Sequence, residues 1–517
     1  MQKSPSIQIY IRQELFDHLI YPLSIKLDDN LIILLFRKLH VISEIDFKIS
    51  LKEWIQRAIE TGLTETEATV LFQTFKMFDV DGNEYSSSSI NSRYEVSNTK
   101  NSVDVRYFGL FFALQAFAQR AKVSLNIDKG DKSPIYFASP LSSPRGKSSN
   151  SYRNQNQGLE YQFLVNFIKT NLKLFLRIIA SDIHNTETTL NANEFNTLKF
   201  LFKVYDNGND SMSNSINKKN NLSSYASFFD NLSSVEKISM NIVNEFLQNV
   251  ISNAPPEKGD YVSIKHLTKS VTIKTEELTN KSIKISQCSD SYIYINTNVT
   301  NCKIAHCENC TIVIAAVNKI ISIDKCDRCN VTVIANFVRV SNMIDSYIYL
   351  YSPNEPVLYG DNRGLYLGPH NIWYNALYPI LKSTKISIIH KGLTAFSKPI
   401  TFNDKKEQIN IIQPKEFCTI VVPFDSSEFG YKLTPKNYVE AIEMKMKNYL
   451  RIKNQIKEAR LTEEQERAFH MALQGYYREW LCTSGNYKAM NDVVRMINPV
   501  EKEDEDTTNL TNNESDS

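Results

Sequence analysis

Three segments in the middle of this chain lie under one another. They are Ile285-Ser-Gln-Cys-Ser-Asp-Ser-Tyr-Ile-Tyr-Ile, Ile304-Ala-His-Cys-Glu-Asn-Cys-Thr-Ile-Val-Ile and Ile323-Asp-Lys-Cys-Asp-Arg-Cys-Asn-Val-Thr-Val, and they start 19 residues apart. A fixed period near 20 residues is the mark of a stacked coil. Each period carries two apolar doublets at strand spacing. One series is Ile283/Ile285, Cys302/Ile304, Ile321/Ile323, Val338/Val340 and Val357/Tyr359; the other is Ile293/Ile295, Ile312/Ile314, Val331/Val333, Ile348/Leu350 and Leu365/Leu367. Alternate residues on a strand share a face, so both members of a doublet point inward. Most are β-branched, which suits strands. Strands this short cannot bury a face alone, but stacking merges the inward rows into one core. The pattern predicts a parallel β-helix of about five coils. Val271/Ile273 would belong to a coil before the series and Ile386/Ile388 to an ending after it.

The cysteines offer a rival reading. Cys307-x-x-Cys310 and Cys326-x-x-Cys329 are separated by 15 residues, a zinc-ribbon spacing, and thiolates so spaced can hold tetrahedral zinc. However, Cys288, Cys307 and Cys326 share one slot of the period, with Met343 near the next, while Ser291, Cys310 and Cys329 share the other. Slots that accept Met and Ser do not make a ligand set. Free Cys packs like a small hydrophobe, so the thiols are expected to fill inward corners, with neither metal nor cofactor.

The flanks read differently. Ser50-x-x-Glu53 and Thr64-x-x-Glu67 are capping boxes that open helices. Phe and Leu at helical spacing predict further helices over 104–124, 159–180, 193–205 and 234–251. Between them, Ser/Asn-rich tracts at 84–103, 127–158 and 207–233 read as disordered. Asp79-Val-Asp-Gly-Asn83 and Asp206-Asn-Gly-Asn-Asp210 resemble the start of a calcium loop, but Gly82 and Ser211 break the required pattern, so both read as turns. The expected organisation is a helical domain over 1–253, a linker over 254–260, the coil over 261–400 and closing strands over 401–430. A helical hairpin over 431–498, expected to pack on the coil's flank with binding of a partner helix as the alternative, and an acidic disordered tail over 499–517 complete it. The fold class is α+β.

With 517 residues, more than one domain is expected. Basic and acidic residues balance, 59 against 57, so no nucleic-acid footprint shows. The start, Met1-Gln-Lys-Ser-Pro-Ser, lacks an apolar signal region. The run Leu31-Ile-Ile-Leu-Leu-Phe36 is broken by Arg37 and Lys38 and is too short to cross a bilayer. A soluble intracellular protein with reduced thiols, no nucleic-acid partner and no membrane insertion is therefore expected.

Motifs for phosphate loops, nucleophile elbows and zinc proteases are missing from the sequence. His306 and His370 read as structural hydrogen-bonding residues, since no paired acid or nucleophile accompanies them. Arg339 stands out by position. In Ile334-Ala-Asn-Phe-Val-Arg-Val340 the inward residues are Val338 and Val340, so parity throws Arg339 outward onto an exposed sheet face. A guanidinium on a rigid strand can stabilise charge on a transferring phosphate as an arginine finger; an ordinary solvated Arg is the alternative.

The Cys-x-x-Cys coils and the strand ending in Arg339 resemble the tubulin-binding cofactor C domain, shared with cyclase-associated protein. The resemblance implies a right-handed β-helix. In catalytic relatives that Arg is a finger for a GTPase, tubulin or an Arf-like small GTPase. The family motif there reads roughly Gln-Gln-Phe-Arg; this chain has Asn336-Phe-Val-Arg339, with Phe337 at the Gln position and Val338 at the Phe position. Likeness extends to Gly360-Asp-Asn-Arg-Gly-Leu-Tyr-Leu-Gly-Pro-His-Asn-Ile-Trp-Tyr374, Leu461-Thr-Glu-Glu-Gln-Glu-Arg-Ala-Phe and Tyr477-Arg-Glu-Trp-Leu481. It implies a non-catalytic protein of the cytoplasm and cytoskeleton, placed at the microtubule-organising centre, centrosome or spindle pole. The implied role is in centrosome and Golgi positioning and in cell shape, with tubulin or centrosomal proteins as partners. The alternative it implies is a GTPase activator, not itself a hydrolase, using Arg339.

Overall fold

The computed structural model describes residues 9–18, 23–25, 27–42, 47–78, 102–115, 150–180, 189–204, 238–256, 260–402, 409–420, 422–424 and 433–483. Its N-terminal part runs β1 (Ile9–Ile11), α1 (Gln13–His18), α2 (Asp29–Ile42), β2 (Lys48–Ser50), α3 (Leu51–Glu60), α4 (Glu65–Lys76), β3 (Ser102–Asp104) and α5 (105–115). It continues with α6 (Asn150–Ile179), β4 (Thr189–Leu190), α7 (Ala192–Thr197), β5 (Phe202–Val204), β6 (Ile238–Ser239) and α8 (Met240–Val250). Both capping boxes form: Ser50 and Thr64 accept from the backbone of Glu53 and Glu67, whose carboxylates return the bond. The core is aromatic. Trp54 meets Phe108 edge-on with centroids 4.7 Å apart, and its indole donates to the Ala68 carbonyl at 2.8 Å.

Residues 6–12 alternate like a strand and hold β1, while the rest of this part was expected to be helical. Among the described residues it also holds three short antiparallel ladders, β1–β5, β2–β3 and β4–β6. Ser102 and Val103, inside a tract read as disordered, belong to β3, and 150–158 is helical. Local composition missed both because their order comes from distant partners, as when Val103 pairs with Ile49. The turns at 79–83 and 206–210 and the acidic tail lie outside the described residues.

The middle of the chain is a 12-stranded parallel sheet wound into a solenoid. Its strands are β7 (Tyr261–Lys265), β8 (Val271–Lys274), β9 (Ser282–Ser286), β10 (Tyr292–Val299), β11 (Cys302–Ala305) and β12 (Thr311–Asp324). Then come β13 (Asn330–Ser341), β14 (Tyr347–Tyr351), β15 (Val357–Tyr359), β16 (Tyr366–Pro369), β17 (Ile400–Thr401) and β18 (Asn410–Ile411). One face stacks β7, β9, β11, the second half of β12, the second half of β13, β15 and β17. The other stacks β8, β10, the first halves of β12 and β13, β14, β16 and β18. The inward rows are as expected over the three full repeats: Ile285, Ile304, Ile323 and Val340 lie in register, as do Ile293, Ile312, Val331 and Ile348.

Each corner is bent by two residues in the left-handed region. Gln287, His306, Lys325 and Asn342 form one such column, and Asp290, Asn309, Arg328 and Asp345 the other, all with φ between 43° and 55°. These positions lack a shared residue type, so the sequence does not announce them. The thiol slots lie just after them.

The period drifts at both ends, and parity drifts with it. Val340 pairs with Leu358, a step of 18, so Leu358 points inward while Val357 and Tyr359 point outward beside Arg339 and Ser341. Val271 and Ile273 pair with Tyr292 and Tyr294 on the outer face and are 43% and 46% exposed. Ile348 is followed by Leu367 rather than Leu365, which fills a corner instead. The ending comes from β17 and β18, not from Ile386/Ile388; Ile386 is buried outside the coil and Ile388 is exposed. A change of one residue in the period reverses every side chain after it.

Between β16 and β17 lies α9 (Leu377–Lys382), packed on β10 and β12, and after β18 come α10 (Lys436–Glu458) and α11 (Glu463–Thr483). Pro435 sits just before α10, and Tyr438 anchors it, its hydroxyl donating to the Ile412 carbonyl at 2.6 Å. The expected hairpin does not close on the coil. After Ile442 the apolar residues of α10 are exposed, and α10 and α11 do not pack along one another. No helix among the described residues is long and apolar enough to cross a membrane.

Candidate functional site

The repeat places one outward residue per coil in line with Arg339. The row is Lys284, Lys303, Ser322, Arg339 and Val357. Three cations thus stand on one sheet face. Like charges so stacked need an acceptor, and the C-terminal end of α1 supplies it. A helix leaves its last carbonyls without intrahelical partners. Here Lys303 donates to the Asp17 carbonyl at 3.2 Å, and Arg339 donates to the His18 carbonyl. The Asp17 carboxylate lies 3.6 Å from Lys284 and accepts from the Tyr261 hydroxyl at 2.7 Å. His18 Nδ1 and Ser322 Oγ are 2.8 Å apart.

Arg339 is also held from its own sheet. It donates to the Tyr359 hydroxyl at 2.6 Å, and its guanidinium carbon lies 5.2 Å from that ring's centre. The outward turn of Tyr359 after the parity slip is what puts it there. Burial, then Arg339 and Lys303, push the His18 imidazole well below its usual range, so it is neutral where it docks. Glu14 lies on the same helix. Burial raises its carboxyl, but Lys203 and Arg12 outweigh this and hold it at about 2.

The parity expectation for Arg339 holds and its exposure does not. The side chain points away from the coil interior, but it is only 1% exposed because α1 covers it. The same interface accounts for Phe337. With Ile320 and Val357 it joins the hydrophobic core of the N-terminal part. An apolar ring therefore fits where the motif has an amide. Lys284 and Lys303 were legible as outward partners of Arg339, since they share its place in the period. Nothing in Gln13–His18 says that α1 docks there.

The thiol slots are structural in form. Cys288, Cys307 and Cys326 donate to the carbonyls of Ser286, Ala305 and Asp324 at 3.4, 3.6 and 3.4 Å. In the second slot Cys310 and Cys329 donate to Glu308 and Asp327 at 3.2 and 3.3 Å, and Ser291 and Ser346 make the same bond from hydroxyls. Thiol and hydroxyl are interchangeable because each donates two residues back. Met343 fills the first slot's next corner. Among the described residues no group of three or more His, Cys, Asp or Glu is arranged to hold a metal.

His306 takes one of the left-handed corner positions, and burial lowers its imidazole. His370 is fully enclosed and lowered by burial to about 3. The side of the coil left open is a corner strip carrying Arg328, Asn330, Ile344 and Tyr347, with Tyr347 stacked on Tyr366 at 4.6 Å.

Residues 280–394 match the family described as Tubulin binding cofactor C. Curated relatives called TBCC domain-containing protein 1 are similar to this chain. The Xenopus tropicalis protein is 24% identical over 247 residues, 46% of this chain and 44% of that protein. The Danio rerio protein is 24% identical over 253 residues, 47% of this chain and 43% of that protein. The Homo sapiens protein is 21% identical over 248 residues, 47% of this chain and 44% of that protein. The match thus spans less than half the length of these relatives.

Proposed function

From a chain that carries a TBCC domain at residues 280–394, we propose a non-catalytic cytoskeletal protein of the microtubule-organising centre. It acts in centrosome, spindle-pole and Golgi positioning and in cell shape, and its rigid coil is a docking surface for tubulin or centrosomal proteins. The observation that carries this reading is the covered Arg339. The row that a GTPase would have to reach is occupied by α1, and Phe337 is buried in the core behind it. The corner strip of Arg328, Asn330, Ile344 and Tyr347 is open for a partner instead. The test is direct. Tagged full-length chain should concentrate at the centrosome or spindle pole, and Ile344→Asp with Tyr347→Ser should lose that focus while keeping the fold. A diffuse cytoplasmic signal from the unaltered chain would refute the role.

A second reading keeps Arg339 as an arginine finger. It is favoured by the outward guanidinium on a rigid strand, and it requires α1 to withdraw. Single-turnover GTP hydrolysis by tubulin and by Arf-like GTPases tests it. Acceleration abolished by Arg339→Ala would establish the finger; no acceleration would leave the docking role.

A further inference from the structure

The stretch between Asp361 and Asp404 contains no carboxylate side chain, in a chain whose 59 basic and 57 acidic residues otherwise balance. Its middle crosses the outer flank of the coil, where α9 packs on β10 and β12. Lys382, Lys385, Lys391 and Lys398 are exposed there. Two apolar residues stand among them, Tyr378 at 45% exposure and Ile388 at 53%. Lys382 lies over the Tyr378 ring, 4.6 Å from its centre, and Lys391 is 3.8 Å from Glu355. A scattered apolar residue on a surface needs no explanation. Ile388, however, is held outward by its neighbours. The buried Tyr351 hydroxyl donates to the Ser387 carbonyl at 2.9 Å and accepts from the Ile389 amide at 2.8 Å. Gly392 closes over the same hydroxyl, and a Cβ there would come within 2.7 Å of it. The clamp thus fixes an aliphatic side chain in water between Lys385 and Lys391.

Charge and hydrogen bonding together identify the partner. The excess of cations calls for an anionic surface. A protein interface of ordinary size carries about ten direct hydrogen bonds, but the hydroxyls of this flank are turned back on their own chain. Ser383 and Thr384 donate to the carbonyls of Ile380 and Leu381 at 2.7 Å, and Thr394 and Ser397 to those of Lys391 and Thr394 at 3.4 and 2.8 Å. What Ile388 and the four lysines offer outward is hydrocarbon and positive charge, neither of which demands a directed partner. Adsorption to an anionic bilayer needs only these two things, apolar area and charge.

We propose that this flank is a peripheral membrane-binding face, with Ile388 entering the headgroup boundary of an anionic bilayer, without crossing it, and the surrounding lysines meeting the lipid anions. The face shares no residue with the Arg339 row or the corner strip, so it stands apart from the docking reading above. Full-length chain should float with vesicles of phosphatidylcholine containing about one-third phosphatidylserine, and not with phosphatidylcholine alone. Each lysine near such a surface is worth roughly a fivefold change in binding, so the triple variant Lys382→Gln, Lys385→Gln, Lys398→Gln should bind roughly a hundredfold more weakly. Ile388→Ser should bind roughly tenfold more weakly. Ile388→Trp should instead bind at least as well as the parent, and its added emission should shift to the blue on the anionic vesicles. Failure of the unaltered chain to float with the anionic vesicles would overturn the proposal, as would equal binding to both vesicle types. So would a loss of binding in the lysine variant with none in Ile388→Ser and no shift in Ile388→Trp, which is how a face for an acidic protein or a nucleic acid would behave.

Discussion

Replacing Arg339 with Met should release the N-terminal part from the solenoid without unwinding the coil. The substitution keeps an apolar stem and deletes the guanidinium. Two charge-assisted hydrogen bonds disappear, to the His18 carbonyl and the Tyr359 hydroxyl. Each is worth about 1.5–3 kcal/mol net. The lower end applies, because loss of one cation also relieves repulsion along the row from Lys303 and Lys284. Docking should therefore weaken by about 3 kcal/mol, roughly a hundredfold in its equilibrium constant. Native-state hydrogen exchange resolves this, since opening energies are local. Amides of α1 and of the Ser322 and Arg339 strands should lose roughly a hundredfold in protection. Amides flanking Ile312 and Val331, which face the coil interior, should not change. If α1 keeps its protection within about threefold of the parent, under 1 kcal/mol, Arg339 does not hold the interface and the reasoning fails.

Other outcomes follow from the same geometry. His18 is neutral when docked and faces Arg339, Lys303 and Lys284 from the coil, Glu14 from its own helix and the Ser322 hydroxyl. Below its ordinary value of 6.5 the free imidazole takes up a proton that the docked one refuses, so docking is strongest above that pH and weakens by up to about 1.4 kcal/mol per unit as pH falls; constant α1 protection between pH 7 and 5 would contradict this. Phe337→Gln, which restores the motif's amide, should destabilise the chain by about 3 kcal/mol, because it empties a ring's place in the core and buries an amide; an unchanged denaturation midpoint would show that the ring is not packed there. A strong chelator should leave the thermal transition unmoved, whereas a drop of several degrees would mean that the thiol slots hold an ion after all. Gly364→Ala should cost about 1 kcal/mol or more, since Gly364 sits at φ 60° and a Cβ would meet the Asp345 carboxylate; a neutral effect on chemical denaturation would refute that contact.

The coil was legible because its cause is periodic. Ile304 and Ile323 face inward for a reason repeated every 19 residues, and the Cys slots announced themselves by admitting Ser291 and Met343. The capping boxes at Ser50 and Thr64 were equally plain, being local exchanges of hydrogen bonds. Legibility stopped where the period changed. One residue fewer before Leu358 turned Tyr359 outward, and only the pairing of β13 with β15 reveals it.

Sequence parity alone also determined the direction of Arg339, since a strand alternates whatever surrounds it. Whether that guanidinium meets water was decided elsewhere, by a six-residue helix more than three hundred positions earlier in the chain. Direction is a property of the strand itself, and burial is a property of everything packed upon it; no pattern within Gln13–His18 encodes a destination on the solenoid.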